Sequence, residues 1–501
     1  MIEPLHDLLD TAAATAPEKV AVITDEGSLG YRELAGESRT GAGWLHALGV
    51  RRGDRVAVLL PNRAEVITLV VAASRLGAIF VVLNEALKPG QVEHILADSA
   101  PRVLLTTTGR ALALHVPAAT TVATLDDYRV AIHASEAFSR PFPGITIDPV
   151  CVIYTSGSTG GSKGVVCTHR QVRFAAGAIQ ARLGVVDTDV VGVFLPLSFD
   201  YGLYQVFLAF QAGATVALGS PADVGPALLR KVVTWHVTGL PIVPSMATIL
   251  LRLAKRGDGR QLHGLRFITN TGERLAPGVV DELKAFAPAC RVFVMYGLTE
   301  CKRVSILDPD DFARKRNSVG TPLPDSECVI VDEAGRRLPP RQVGELIVRG
   351  PHVMSGYWND PVLTATRFRP WGPSCERVLF TGDRCSMDED GFLYFHGRHD
   401  DLYKQQGYRV SALEIEAAAR EVPRVTGASL VPPDEHVGAM LFVTGDVDAA
   451  DVIAGLRDRL EDSKMPEVVT VIEALPLTEH GKVDKSALRA RRRTAAEVSR
   501  P

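Results

Sequence analysis

Between Tyr154 and Val165 the chain reads Tyr-Thr-Ser-Gly-Ser-Thr-Gly-Gly-Ser-Lys-Gly-Val, so hydroxyl and glycine residues crowd ahead of one lysine. Glycines let a loop aim its peptide N–H groups inward, Thr155, Ser156, Ser158 and Thr159 add hydroxyl donors, and Lys163 adds a cation. That is the donor set a polyphosphate requires, and a nucleotide is the ligand it points to. The spacing excludes a Walker A loop, because Lys163 follows Ser162 and precedes Gly164, whereas that motif has glycine before the lysine and serine or threonine after it. A flexible surface loop has a similar composition. The apolar residues 150–153 before it and Val165-Val166 after it argue instead for a loop anchored between strands.

The flanking sequence supplies elements to hold such a loop. Residues 20–23 and 55–60 have strand length and β-branching, 64–76 have helical spacing ended by Gly77, and 79–83 read as strand again. Further strands are expected at 191–195, 214–218, 266–269 and 292–295, with an apolar helix over 203–211. This alternation predicts parallel sheet with helices on its faces, an α/β fold. Ligands of such sheets gather at the carboxyl ends of strands, where the polar clusters 196–202, 270–274 and 296–300 fall. From Gly344 onward the texture turns antiparallel, and residues 388–391 mark a tight turn. The polar run 397–401 reads as a boundary. Beyond it helices are expected at 411–421 and 450–460 and strands at 439–444 and 468–472, with a solvated Arg/Ala-rich tail from Arg489.

At 501 residues the chain is expected to divide into roughly two to four units. Its 55 Lys plus Arg against 58 Asp plus Glu give a net charge of -3, which leaves no basic field for nucleic acid. Seven cysteines without a Cys-x-x-Cys pair read as reduced, buried thiols of a cytoplasmic protein. The amino terminus lacks the basic and apolar regions of a signal peptide. The longest apolar stretch, 66–83, is broken by Ser74 and Arg75 and falls short of a membrane span.

Six segments, 154–165, 296–300, 344–359, 380–383, 397–416 and 475–485, resemble in order the motifs of the adenylate-forming superfamily, which comprises acyl-CoA synthetases, nonribosomal peptide synthetase adenylation domains and luciferases. The resemblance covers nearly the whole chain. It implies a large N-terminal domain of parallel and mixed sheets flanked by helices with a β-subdomain (1–398), a hinge (399–400), a small mobile α+β lid (401–488) and a tail (489–501). It also implies ATP and Mg2+, and two half-reactions. A carboxylate first attacks the α-phosphorus to give acyl-AMP and pyrophosphate. The phosphopantetheine thiol of CoA or of a separate carrier protein then takes the acyl group. Only a short tail follows Lys485, so a free-standing ligase is expected. Two alternatives are an enzyme that passes the adenylate to an amine or other non-thiol nucleophile, and a non-catalytic nucleotide-binding paralogue. The latter has no use for Lys163, Glu300, Asp383 and Lys482 together.

In that scheme Thr155, Ser156, Gly157, Ser158, Thr159, Gly160 and Lys163 clamp the β- and γ-phosphates. Glu300 matches the magnesium ligand, with Thr299 beside it on the phosphates. Gly272, Glu273 and Arg274 match the adenine wall together with Tyr296 and its neighbour Gly297. Asp383 matches the acceptor of the ribose hydroxyls, and Arg398 a ribose or phosphate contact. Lys482 matches the lysine that the lid carries to the reacting carboxylate and α-phosphate, and Asp400 the pivot of the lid. Ser158, Ser162 and His480 depart from the residues common in relatives while the glycines and lysines are retained.

Phe199-Asp200-Tyr201-Gly202 resembles the segment in which amino-acid-activating relatives place an aspartate for the substrate ammonium. Phe199, Asp200, Tyr204, Asn270 and Arg303 are the residues expected to line the acid pocket. A carboxylate left unpaired in a dry pocket is costly, so Asp200 needs either a substrate amine or a neighbouring cation. Lys302 and Arg303 follow Glu300 where relatives line the pocket with apolar residues. Arg303 can pair with Asp200 or bind a second substrate carboxylate. An amino acid and a plain acyl or aryl acid both remain open at this point.

Overall fold

The computed structural model describes residues 3–156, 162–256, 262–272, 275–372, 376–398, 402–405, 408–433, 437–460, 464–478 and 481–498. The chain forms two compact units, one of Met1–Cys328 with Ile347–Phe380 and one of Val329–Leu346 with Thr381–Pro501.

The first unit contains two sheets. In the nine-stranded one, the strands Val20–Thr24, Thr215–Leu218, Val190–Val193, Gly239–Ile242, Phe267–Asn270 and Arg291–Tyr296 lie side by side and parallel. Antiparallel strands Gly27–Gly30 and Ser305–Leu307 flank them. In the seven-stranded sheet Ile79–Leu83, Arg55–Leu59, Val103–Thr106 and Thr121–Thr124 run parallel, and Pro149–Ser156 joins Ile79–Leu83 before turning back antiparallel into Ser162–Thr168. Every residue of Ile79–Leu83 and Val103–Thr106 is buried. Central parallel strands are covered on both faces, and this is why they read as continuous apolar runs rather than alternating ones.

The expected elements form with ends shifted by a few residues. The helix foreseen from 203 begins earlier and spans Asp200–Ala212, with Phe199 as its extended N-cap. An acidic residue in the first turn is favoured by the helix dipole, so Asp200 belongs to the helix and not to the preceding loop. Its burial continues without a break from Asp200 to Phe210.

In the second unit Val425–Val431 pairs antiparallel with Met440–Gly445, which pairs parallel with Val468–Val471. Helices Ala412–Arg420 and Ala449–Arg457 contribute Ile415, Val452 and Leu456 to a core shared with Leu430, Leu441 and Val443. The stretch from Arg489, expected as a solvated tail, continues a helix Lys485–Val498 whose Leu488 packs with Val431, Met440 and Phe442. Six cysteines are described, all free and buried; Cys375 lies outside the described residues. Among the described residues no helix is long and apolar enough to cross a membrane.

Three histidines make the first unit acid-sensitive. Burial pushes the imidazoles of His6, His169 and His352 down to about 3, 4 and 4. His169 Nδ1 accepts from Leu5 N at 3.1 Å, while neither ring nitrogen of His352 has a hydrogen-bond partner. In the unfolded chain these groups take up protons near pH 6.5, so below that pH the unfolded state binds more protons. Their contribution is fully present above about pH 6.5 and is lost as pH falls toward the folded values, at up to about 1.4 kcal/mol per pH unit for each histidine. Urea melts from pH 7 to 5 are expected to show this slope, and His352→Phe, against the ring of Phe174, is expected to reduce it by one proton. An unchanged slope in that variant contradicts the assignment.

Candidate active site: phosphate loop and buried acid pocket

Lys163 stands on the strand that leaves the glycine-rich loop. Residues 157–161 lie outside the described residues, and with them Gly157, Ser158, Thr159 and Gly160; of Ser156 only the backbone is described. The hairpin register places Thr155 opposite Lys163. A Cβ on Gly164 would come 2.6 Å from Val152 Cγ1 and 3.2 Å from Trp358 Cβ, so the strand can lie this close to its neighbours only with glycine there.

The Lys163 ammonium donates to Glu300 Oε1 at 3.0 Å, and the Tyr357 hydroxyl donates to the same oxygen at 2.7 Å. Lys163 also lies 3.2 Å from the Tyr357 hydroxyl and 4.6 Å from the centre of its ring. Burial alone would raise the Glu300 carboxyl, but the Lys163 charge and these donors outweigh it and hold it down at about 2. Glu300 is thus an anion throughout the working pH range, as a ligand for a hard divalent cation must be. Thr155 Oγ1 is buried without a hydrogen-bond partner, a free donor at the mouth of the loop. The residues present therefore fit a magnesium-bound polyphosphate.

Tyr357 had no signal of its own in the sequence, because its target is far away along the chain. It arrives by strand pairing: Gly356–Tyr357 lies antiparallel against Val166 and Val165, next to Lys163. Tyr357→Phe removes a hydrogen bond to a charged group and is expected to cost about 1.5 to 3 kcal/mol, seen as a lowered urea midpoint. A midpoint equal to that of wild type contradicts the bond.

Glu300 shares one loop with Lys302 and Arg303, the latter expected from the sequence to line the acid pocket. The loop starts after Tyr296 at the carboxyl end of strand Arg291–Tyr296. A Cβ on Gly297 would come 2.1 Å from the Lys302 carbonyl oxygen, so the loop folds back tightly on itself. Thr299 is partly exposed, and the Glu300 carbonyl accepts from Met354 N at 2.9 Å. At its end Arg303 N donates to Cys301 O at 2.7 Å around Lys302, whose φ is 60. Such a three-residue turn with positive φ is rare and strained for a lysine. It has a consequence for direction. Consecutive residues of an extended chain point to opposite sides, whereas here Lys302 and Arg303 both reach the first turn of helix Asp200–Ala212.

The pairing there differs from the sequence expectation. Lys302 Nζ, and not Arg303, forms the ion pair with Asp200, at 3.5 Å from Oδ2. Arg303 donates through Nη1 to Thr271 Oγ1 at 2.5 Å and lies 5.3 Å from the centre of the Tyr201 ring. Tyr201 in turn hydrogen-bonds Thr269 at 2.6 Å. Asp200 is 8% exposed, Lys302 5% and Arg303 5%. Burial would lower the Lys302 ammonium, yet Cys167 and Asp200 beside it outweigh that effect and raise it; burial prevails at Arg303 and lowers it. Both are cations, a guanidinium not being deprotonated in proteins. Tyr204 is buried with its ring centre 5.4 Å from the Lys302 ammonium, and Phe199 meets Tyr201 edge-on. Asn270, fully buried, ends strand Phe267–Asn270. Gly272 follows with φ 94, and Glu273 and Arg274 lie outside the described residues.

Asp383 and Lys482 belong to the second unit. Asp383 is buried, its N–H donates to Thr381 Oγ1 at 3.1 Å, and the strand register sets it opposite Arg398, whose side chain is outside the described residues. Lys482 sits in a tight hairpin closed by Leu477 and Val483, its N–H on Thr478 Oγ1 at 3.3 Å and its carbonyl accepting from Thr478 N at 2.6 Å. Asp400 lies outside the described residues.

The model of the AMP-binding enzyme family matches residues 9–358. CymA of Salinispora arenicola (strain CNS-205), a probable nonribosomal peptide synthetase, is 33% identical over 509 residues, which cover 99% of this chain and 6% of CymA. Feruloyl-CoA synthase of Amycolatopsis sp is 32% identical over 496 residues, 96% of this chain and 97% of that enzyme. The solved complex of VinN with L-aspartate has a TM-score of 0.71 at 35% identity and covers 79% of this chain and 98% of VinN. The chain thus spans a small part of the synthetase and nearly the full length of the CoA ligase. Matched over most of its length to the family model, this chain belongs to the AMP-binding enzyme family of adenylate-forming acid ligases.

Proposed function

We propose that the protein is an ATP-dependent acid–thiol ligase. It activates an amino-bearing carboxylic acid as acyl-AMP with release of pyrophosphate, and transfers the acyl group to the phosphopantetheine thiol of CoA or of a separate carrier protein. The observation that carries this reading is the Lys163–Glu300–Tyr357 cluster next to the glycine-rich loop, in which buried Glu300 and Tyr357 meet a half-buried Lys163. Lys163 and Glu300 satisfy each other here, and each is suited to a different part of a metal-bound triphosphate. Lys163 and Thr155 serve phosphate oxygens, while Glu300 holds the cation. Mg2+ supplies neutralisation of the phosphate charge as pyrophosphate leaves.

The resemblance assigns the remaining roles. Gly272, Glu273, Arg274, Tyr296 and Gly297 face the adenine, Asp383 and Arg398 the ribose, and Lys482 the reacting carboxylate. Residues 401–488 act as a lid that turns at Asp400. Asp200, buried in the first turn of its helix, is the acceptor for the substrate amine. VinN, solved with the amino acid L-aspartate, supports an amino-bearing acid, and the end-to-end match to a CoA ligase supports a thiol acceptor.

The test is a product analysis with Mg2+, ATP and a panel of amino acids and their desamino counterparts, run with CoA and with a phosphopantetheinylated carrier protein. A thioester with one of these acceptors is expected, together with AMP. An amide or ester as the sole product, with no thioester, overturns the thiol assignment.

A further inference from the structure

The acid pocket has the wrong charge for a simple amino acid. Two buried cations, Lys302 and Arg303, face one carboxylate, Asp200, so the set carries one positive charge in excess. Glu300 also acts on Lys302, but it is already matched by Lys163. Cys167 and its cross-strand neighbour Cys151 lie beside Lys302; burial opposes a Cys167 thiolate, but contacts with Cys151 and with the Lys302 charge outweigh it and lower the Cys167 thiol, and a sulfur remains a weak acceptor compared with a carboxylate.

The hydrogen bonding tells the same story. Arg303 Nε and the Tyr204 hydroxyl are buried without hydrogen-bond partners, and Lys302 Nζ has no oxygen or nitrogen partner, only the Cys167 sulfur beside it. Buried polar groups are nearly always paired, and three such donors around the first turns of helix Asp200–Ala212 call for a ligand rich in acceptors. A carboxylate offers about four lone-pair sites. A substrate ammonium offers none, and adds a further positive charge.

Lys302 and Arg303 are held differently. Arg303 is tied by Thr271 and rests on the Tyr201 ring. The Lys302 ammonium ends a flexible four-carbon stem, and its 3.5 Å approach to Asp200 is close enough for attraction but too long for a hydrogen bond. It is a cation that can be traded. The strained turn at Lys302 fits this role, since backbone strain of this kind is kept where function needs it.

We propose that the activated acid carries a second carboxylate in addition to its amine, and that Lys302 is the residue that selects for it. The second carboxylate binds Arg303 and Tyr204 and draws Lys302 away from Asp200; only then is Asp200 open to the amine. An amino acid lacking that carboxylate must displace Lys302 unaided and leaves two buried cations without an anion. This inference rests on the ligase reading above and adds the class of acid.

The test compares kcat/KM for pyrophosphate release among C3 to C6 dicarboxylic acids with and without an amino group, aspartate, glutamate and succinate among them, and the matching monocarboxylic acids, including L-alanine, β-alanine and butyrate. In the wild type an amino dicarboxylate is expected to exceed the amino monocarboxylates about 10²-fold or more. Lys302→Met is expected to raise KM for the amino dicarboxylate and bring the ratio to within about tenfold. Asp200→Asn is expected to cut both amino classes and spare succinate. A wild-type preference for L-alanine or β-alanine overturns the inference and leaves the ligase standing. An amine-free dicarboxylate turned over as well as its amino counterpart overturns the role of Lys302 as a latch on Asp200. If no acid yields AMP, the ligase reading fails first. The wild-type comparison alone decides between these outcomes, whether or not the variants fold.

Discussion

Lys482→Ala is expected to slow formation of the acyl-adenylate about 10²-fold or more, while thiolysis of a presynthesised adenylate proceeds at the wild-type rate. The reason lies in where charge develops. As a carboxylate attacks the α-phosphorus, negative charge builds on the oxygens in flight, and a fixed ammonium there supplies roughly 2 to 4 kcal/mol. Lys482 is suited to be fixed, because its backbone is clamped on both sides by Thr478 within the hairpin closed by Leu477 and Val483. The thiol attack on a finished adenylate needs no such charge at that position. Equal loss in the two assays contradicts the role and points to a folding defect.

Lys163→Met is expected to affect both catalysis and stability. It removes a phosphate-binding cation and leaves Glu300, almost fully buried, without its counter-ion. Pyrophosphate exchange is expected to fall about 10²-fold or more. For stability, the Glu300 carboxyl is held at about 2 against an ordinary 4.5, which corresponds to about 3 kcal/mol. Because the folded value is the lower one, this contribution is present above about pH 4.5 and is lost as pH falls through about 2. Without Lys163 the carboxyl rises and the contribution largely disappears. Melts of wild type and Lys163→Met from pH 3 to 7 should therefore differ most at the upper end of the range and converge toward the lower. A constant offset at every pH contradicts the coupling.

Two buried carboxylates of the first unit, Glu300 and Asp200, are handled alike. Glu300 is occupied by Lys163 and Asp200 by Lys302. In each case a site cation stands against an anion that a ligand is expected to engage. Burying a charge without a partner is costly, so such placeholder pairs let the pocket stay folded when empty. The pairs differ in tightness. Lys163 is within hydrogen-bond distance of Glu300 and Tyr357, whereas Lys302 is not within that distance of Asp200.

The alternation of strand and helix was legible in the sequence because central strands such as Ile79–Leu83 are buried at every position and read as apolar runs. The strands on either side of the glycine-rich loop were legible because residues 150–153 and Val165-Val166 read as apolar strand, and Pro149–Ser156 and Ser162–Thr168 pair there. The start of helix Asp200–Ala212 was placed too late, since Asp200 and Tyr201 read as loop-like polar residues until packing buries them. The partner of Asp200 was not legible. It depends on a three-residue turn at Lys302, and lysine is not a residue that announces positive φ. Tyr357 and Thr271 escaped for a related reason, because strand pairing and loop folding bring them to Glu300 and Arg303 from far along the chain.

The most direct measurement is the nucleotide product. With Mg2+, ATP and an amino dicarboxylic acid, the purified protein is expected to release AMP and pyrophosphate in equal amounts, and none without the acid. Release of ADP and phosphate with no AMP, across the whole panel of acids, contradicts the assignment of Lys163, Glu300 and Lys482 to adenylate chemistry.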